Sequence, residues 1–370
     1  MKSTNVLPEI KAKKPQFRAA SSGLYVLGIM CIAVALFLPM PPALADTFLQ
    51  MLYPIAQHGM VLVTNAMPFP IFENLQLLSV VVILALIGYA LTIPRSRLLQ
   101  RGQVPAVFLV VVFTWMYVSA YMIFASRAVY ARTPFSDIKS TQTVLYHRSD
   151  LTALEHLASK RTTTLAPYAH FAHQFQDDRQ LDASLSDDEF RTLRDFGVRP
   201  LTLPRTKISS HQAHNEEAGI DGESNIGTSE TVLSGNIPWH DRPFVIAHEN
   251  AHILGFGRES DANAIAALTC VSSQNPVIAY AGWLQILRDT MIYFNPLDEG
   301  PRLSKLVRSD LRISEDVTRI EVDPAKNADW KRSYDRQLRR ANVPGGIASY
   351  EGYLPEIIAH PDLRRMLEAI

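Results

Sequence analysis

The sequence predicts a mainly α-helical protein, in which three N-terminal transmembrane helices precede an α+β domain with a small sheet. Apolar residues are concentrated before residue 127 of the 370-residue chain, whose mean hydropathy is +0.02. After residue 127 helix signals recur, and the β-branched alternation of a strand is clearest in residues 227–238. We therefore expect a membrane anchor over residues 1–126 and one folded domain over residues 127–370.

Three apolar runs are long enough to cross a bilayer, which takes about 20 residues. They cover approximately residues 23–45, 75–94 and 104–126. The first run also ends in a pattern typical of signal-peptide cleavage, Ala43-Leu44-Ala45. Residues 47–68 are apolar but interrupted by polar side chains, which predicts an interfacial helix on the outer membrane surface.

The positions of Lys and Arg orient these predicted spans. Residues 1–22 carry five basic residues and the loop over residues 95–103 carries three, whereas residues 41–73 carry none. By the positive-inside rule, the N-terminus is cytoplasmic and the chain after Ala125 lies outside, with the lipid bilayer as a partner. The 36 basic and 36 acidic residues balance, so no basic face for nucleic acid is indicated.

Two helices of the C-terminal part have recognisable ends in the sequence. Ser186 followed by Glu189 forms a capping-box pattern, which predicts a helix start, and Gly197 predicts the end of that helix. A second, highly charged helix is predicted from Ala325 to Arg340. Neither helix carries a residue pattern that by itself indicates chemistry.

The pentapeptide HENAH at residues 248–252 carries the predicted chemistry. His248 and His252 are four apart, so on a helix both imidazoles leave the same face and can bind a single metal ion. Glu249 is placed so that its carboxylate can reach a metal-bound water instead of the metal. This pattern predicts a catalytic zinc site, which uses three protein ligands and one open position.

A third ligand is expected shortly after this pentapeptide. Gly255 and Gly257 predict a break after the first helix, and a second helix follows in which Glu259 and Asn263 share a face. We predict Glu259 as the third zinc ligand and Asn263 as a hydrogen-bonding partner that orients a ligand. Asp261 is the main alternative as the third ligand.

The stretch HENAHILGFGRESDAN, residues 248–263, resembles the signature of an uncharacterised bacterial family of three-span membrane proteins. That family, a domain of unknown function with a pattern close to HExAHxxGFxRExEAN, is placed by motif among HExxH zinc metallopeptidases. Glu230 and the sequence Tyr-Ala-Gly-Trp at residues 280–283 extend the resemblance. Residues 259–263 are also similar to the ExxxD helix of HtpX-like and CaaX-prenyl-protease-type enzymes, where the glutamate binds zinc; Asn263 replaces the aspartate.

The resemblance implies a gluzincin-like zinc metalloendopeptidase with a zincin-like domain outside a bacterial inner membrane. Its substrates would be peptides or proteins, including envelope or membrane proteins. Glu249 is expected to be the general base, and Tyr280 is the first candidate for stabilising the oxyanion, with His240 and Tyr293 behind it. The strand with Glu230 is expected to bind extended substrate along an exposed edge. The alternative is a non-catalytic envelope or sensor protein with a structural or ligand-binding zinc site.

Overall fold

The computed structural model describes residues 17–92, 98–133, 148–199, 201–291, 303–340, 343 and 352–360. The chain divides into two compact units. The first unit consists of Met1–Leu38 and Val80–Ile123, and the second of Pro39–Ser79 and Phe124–Ile370. The predicted boundary after residue 126 therefore differs from the structure, since residues 39–79 belong with the C-terminal part. Hydrogen bonds from this segment to the C-terminal part, given below, explain the difference.

The N-terminal third of the chain is helical wherever the structure describes it. Its helices are α1 (Phe17–Phe37), α2 (Pro42–Met51), α3 (Tyr53–Asn65), α4 (Ile71–Thr92) and α5 (Leu98–Ala131). The predicted first span extended too far towards the C-terminus. Helix α1 ends at Phe37, whereas the prediction placed the end near residue 45. Pro39 and Pro41 follow at once, and proline cannot continue a helix.

The predicted interfacial helix over residues 47–68 is in fact two helices, α2 and α3, which meet at Leu52. Pro54 lies in the first turn of α3, where the missing N–H of proline costs nothing. The same residue inside a continuous helix would remove a hydrogen bond, and this explains the break.

Helices α4 and α5 include most of the predicted spans over residues 75–94 and 104–126. Among the residues searched, one stretch, Val111–Ala131, is long and apolar enough to cross a membrane, and Val26–Phe37 is a shorter apolar helix. One membrane-span candidate is therefore observed, and three spans stay a prediction.

The rest of the chain is mainly helical with a small sheet, as the sequence predicts. Its helices are α6 (Arg148–His173), α7 (Asp178–Asp195), α8 (Gln212–Ala218), α9 (Arg242–Ile253), α10 (Glu259–Val271), α11 (Pro276–Met291), α12 (Lys305–Glu321), α13 (Pro324–Arg340) and α14 (Leu354–Ala359). The strands are β1 (Lys207–Ile208), β2 (Gly222–Asn225) and β3 (Glu230–Leu233). The predicted charged helix is α13, and the predicted strand contains β3.

The predicted start of α7 was wrong. The capping box is formed by Asp177 and Gln180, so Ser186 lies in the middle of the helix. Glu189, the predicted partner of Ser186 in that capping box, is buried there, as is Asp188. The predicted end is correct, since Gly197 follows the helix with a φ of 70°.

Strand β3 is the centre of the sheet, with β1 parallel on one side and β2 antiparallel on the other. The expected free edge beside Glu230 is therefore absent from the described sheet. The Glu230 carboxylate is fully buried, accepts a 2.5 Å hydrogen bond from Lys207 Nζ, and accepts the backbone N–H groups of Ile71 and Phe72. Glu230 thus caps the start of α4, where the helix dipole favours an anion.

Helix α9, which carries the HENAH pentapeptide, lies in the core of the second unit. It packs against β2 and β3 on one side and against α10 and α11 on the other. The approach of α10 to α11 requires a glycine, because a Cβ at Gly282 would lie 2.5 Å from Cys270 Cβ. The Tyr-Ala-Gly-Trp sequence at residues 280–283 is therefore explained at least partly by helix packing.

Candidate metal centre

Three donor atoms from α9 and α10 converge in the core. His248 Nε2 lies 3.2 Å from His252 Nε2, and Glu259 Oε2 lies 3.1 Å from the first and 3.5 Å from the second. All three side chains are buried, and the group could bind a metal ion. Zinc bonds of about 2.0–2.1 Å in a tetrahedron would separate ligand atoms by about 3.3 Å, so the spacing fits one ion.

The other ring nitrogen of each histidine is bonded to the protein. His248 Nδ1 is 2.7 Å from Asn263 Oδ1, and His252 Nδ1 is 2.7 Å from the backbone oxygen of Phe256. Because both partners are oxygen acceptors, each Nδ1 is the nitrogen that carries the proton and donates it. Each Nε2 therefore directs its lone pair at the common point, in the tautomer that metal binding requires.

Glu259 supplies the negative charge of the group. Its Oε1 accepts a hydrogen bond from the Tyr334 hydroxyl, whereas its buried Oε2 faces the two imidazole Nε2 atoms and no other hydrogen-bonding group among the described residues. A positive charge between this oxygen and the imidazoles, from a metal ion or from a proton, satisfies the buried carboxylate. Burial lowers the pKa of His252, but the charge and hydrogen bond of Glu259, together with the Glu249 charge and the Phe256 carbonyl, outweigh it and raise that pKa to about 9. Without metal, a proton partly takes the place of the cation.

The turn between α9 and α10 brings Glu259 back to the histidines. Gly255 has a φ of 96°, which favours glycine, and Gly257 approaches so closely that a Cβ there would lie 2.9 Å from the backbone nitrogen of Tyr130. Arg132 donates to the Leu254 oxygen at 3.0 Å and lies over the Phe256 ring. The two glycines predicted to break the helix are therefore required by the turn and by the end of α5.

Asp261, the alternative third ligand, is not part of the group that could hold a metal. It is buried, and its charge acts on Arg132. This agrees with helix geometry, because residues two apart point about 200° away from each other. The structure therefore brings Glu259, and not Asp261, to the two histidines.

Glu249 is not a member of the group, but it follows His248 in the chain and its charge contributes to the raised pKa of His252. A Cβ at Gly222 would be 2.9 Å from both Cγ and Oε1 of Glu249, so this side chain lies against the backbone of β2. Gly222 is the first residue of β2, which is an edge strand of the sheet. One side of β2 pairs with β3. The absence of a side chain at Gly222 gives the Glu249 carboxylate its space.

Tyr280, the predicted oxyanion donor, lies in a different cluster. Its buried hydroxyl donates to Asp310 Oδ2 at 2.5 Å, and the same oxygen lies 2.8 Å from His170 Nε2. Burial, followed by the bond to Asp310, raises the pKa of Tyr280 far above its usual range. This hydroxyl is committed to a carboxylate, which does not favour the predicted role. His240 contacts Ser314 at 3.1 Å, and Tyr293 lies outside the described residues.

Sequence reasoning missed two tyrosines near the group. Tyr334 on α13 donates its hydroxyl to Glu259, and a side-chain hydrogen bond joins Tyr130 on α5 to Tyr334. Both residues are far from the HENAH pentapeptide in the sequence. A pattern search around that pentapeptide cannot identify them. Tyr334 is the first residue of the segment YDRQLRR, which lies near the C-terminus.

The fold and this geometry define a mainly helical protein with a buried group of two histidines and one glutamate that could bind a metal ion. A family model described as "Protein of unknown function (DUF3810)" matches residues 48–355, which is most of the chain. The chain therefore belongs to this family. Comparisons with curated proteins and with solved structures gave no significant match.

Proposed function

We propose that the chain is a membrane-anchored zinc metallopeptidase that hydrolyses peptide bonds. One observation carries the proposal: the donor atoms of His248, His252 and Glu259 converge on one point, and the Glu249 carboxylate, which does not belong to the group, is near enough for its charge to act on His252. A site with only a structural purpose does not need this additional carboxylate. A catalytic site needs it, because a base must accept the proton of the attacking water.

The donor set fits zinc. Two imidazole nitrogens and one carboxylate oxygen form a common ligand set of catalytic zinc, and they leave a fourth position open. Glu259 Oε2 and the two Nε2 atoms are the atoms that would hold the ion. When bound, zinc polarises the scissile carbonyl and makes water more acidic.

The protein residues then have separate tasks. Asn263 and the Phe256 carbonyl fix the orientation of the two imidazoles through their Nδ1 atoms. Glu249 accepts the proton of the attacking water and returns it to the leaving amine. The substrates are peptides or proteins, with envelope and membrane proteins as the expected class.

The proposed location is a bacterial inner membrane, with three spans and with the metal centre outside. Reporter domains fused after residue 360 test this orientation, with a fusion in residues 94–103 as the cytoplasmic control. The distribution of Lys and Arg predicts an extracytoplasmic signal from the first fusion and a cytoplasmic one from the second. A cytoplasmic signal from both would contradict the proposed orientation.

Replacement of Glu249 by glutamine tests the proposed activity. The full chain is needed, because residues 39–79 belong to the same compact unit as the metal centre. We expect E249Q to keep its zinc content, measured by elemental analysis, and to lose at least about 100-fold in hydrolysis of a peptide library followed by mass spectrometry. Equal cleavage by both proteins would contradict the peptidase proposal.

The same variant separates the alternative, a non-catalytic envelope or sensor protein. The low exposure of His248 and His252, 8% and 7%, is the observation that favours a closed, non-catalytic site. In that case the wild-type chain with zinc would cleave no peptide in the library, and E249Q would differ from it in neither metal content nor cleavage.

A further inference from the structure

Helices α2 and α3 differ from surface helices in water, because they expose large apolar side chains in addition to the apolar residues Ala45, Leu49 and Val61 that they bury. The face that packs on the rest of the second unit includes Tyr53, Gln57 and Thr64, each 0% exposed. The outward face carries large apolar side chains whose exposure reaches 74% at Ile55; the others are Leu44, Met51, Leu52, Leu62, Val63, Met67 and Phe69. We call these eight residues the apolar face. The exposure of this many large apolar side chains is unfavourable in water and usually marks an interaction site.

Each of these three inward residues makes a hydrogen bond to the C-terminal part. Tyr53 donates to the Ile253 oxygen at 2.8 Å, Gln57 donates to the Thr202 oxygen, and the Thr64 backbone oxygen accepts from Lys207 Nζ at 2.8 Å. All three residues belong to α3, so these bonds fix the rotation of that helix. The apolar face therefore cannot turn inward without breaking several buried hydrogen bonds.

The position of these helices in the chain indicates what covers the apolar face. They follow the apolar helix Val26–Phe37 after four residues, and α4 begins soon after them. Residues 41–73 contain no Lys or Arg, so the segment carries none of the cations that would keep it in the cytoplasm. A lipid surface is the partner that an apolar segment between two apolar helices meets first.

We propose that the apolar face lies in the interfacial layer of a lipid bilayer and holds the candidate metal centre at the membrane surface. The connection to the metal centre is short. The Tyr53 hydroxyl donates to the backbone oxygen of Ile253, the residue after His252. Leu49 of α2 lies beside Gly255, and a Cβ at Gly255 would be 3.4 Å from the Leu49 side chain. Asp46 of α2 accepts from the Thr133 hydroxyl at 2.6 Å, directly after α5.

This inference goes beyond hydrolysis, and it can be tested without metal or substrate. A nitroxide is attached to Ile55→Cys or to Met51→Cys in the full chain with Cys31→Ala, reconstituted in phosphatidylcholine and phosphatidylglycerol vesicles. Cys270 is fully buried and stays unlabelled. Asp329→Cys is the matched control, since its side chain is 75% exposed on the charged helix α13. Collisions with oxygen, which concentrates in lipid, are compared with collisions with a water-soluble nickel chelate.

We expect the oxygen-to-nickel ratio at positions 55 and 51 to exceed that at position 329 several-fold. A ratio equal to that of the control would mean that the apolar face is in water, and would overturn the proposal. Low access to both reagents with an immobilised label would mean that a second copy or another protein covers the face, and would overturn it equally. The test does not depend on hydrolysis. A protein that cleaves peptides but fails this test would overturn this inference alone, and a protein that passes it but cleaves no peptide would overturn the proposed function alone.

Discussion

The candidate metal centre can be compared with a second cluster, formed by Tyr280, Asp310, His170 and His173, which we call the Tyr280 cluster. The two contain similar residues in different arrangements. Each has two histidines at helical spacing and a buried carboxylate: His248 and His252 with Glu259, and His170 and His173 with Asp310. In the first, both imidazoles present Nε2 to one carboxylate oxygen. In the second, His170 alone reaches the carboxylate, and His173 stacks on Trp239 at 4.4 Å.

The comparison shows that histidine spacing alone does not make a metal site. What distinguishes the metal centre is that each Nδ1 is hydrogen-bonded to an acceptor: Phe256 in the turn between α9 and α10 for His252, and Asn263, one helical turn into α10, for His248. In the Tyr280 cluster, Asp310 Oδ2 already accepts a hydrogen bond from the Tyr280 hydroxyl. In the metal centre the hydroxyl of Tyr334 bonds the other carboxylate oxygen, Oε1, so the Glu259 oxygen that faces the two Nε2 atoms remains able to bind a cation.

The largest expected effect is the loss of zinc binding when Glu259 is changed. Glu259→Gln removes the anionic ligand with little change in volume. We expect the zinc dissociation constant, measured by chelator competition, to rise by more than the roughly 100-fold typical of lost outer partners. Asp261→Asn is the matched control on the same helix and should leave it nearly unchanged. The opposite result for the two variants would move the ligand to Asp261.

The two clusters should respond to pH in opposite directions. The pKa of His252 is raised from 6.5 to about 9, so the stability it contributes to the metal-free protein is full below pH 6.5 and lost as pH rises through 9. This loss is at most about 3 to 4 kcal/mol, since one pKa unit corresponds to about 1.4 kcal/mol. Burial lowers the pKa of His173, so its contribution is instead lost as pH falls below 6.5.

Denaturant unfolding of the metal-free full chain between pH 6.5 and 9, compared with His252→Gln, measures the first contribution. The difference in unfolding free energy between the two proteins should shrink as pH rises. A difference that is constant across this range would show that the Glu259 carboxylate does not hold a proton on His252.

The smallest expected effect concerns the tyrosine that sequence reasoning missed. Tyr334→Phe removes the hydrogen bond to Glu259 Oε1, which positions the carboxylate. We expect zinc affinity to fall by up to about tenfold, the lower end of the range for such partners. Tyr280→Phe removes the bond to Asp310 and should leave zinc affinity unchanged. A larger loss of affinity in Tyr280→Phe would link the two clusters, contrary to this comparison.

The sequence alone was sufficient wherever the decisive geometry is local. The four-residue spacing of His248 and His252 places both on one helix face, and Glu259 and Asn263 repeat the same spacing after a glycine-containing turn. The periodicity of apolar and β-branched residues was likewise sufficient to predict a mainly helical fold and the position of β3. These features depend on backbone geometry within a few turns, which neighbouring residues determine.

Features that depend on distant packing were decided by the tertiary structure. Ser186 and Asp177 both begin plausible capping boxes, and only burial of the segment selects Asp177. Glu230 looked like a residue at a free strand edge but caps α4, because Lys207 and residues 71–72 reach it. The contact between Tyr334 and Glu259 joins residues 75 positions apart. Such contacts depend on how helices pack, which no local pattern records, because many packings satisfy the same hydrophobic periodicity.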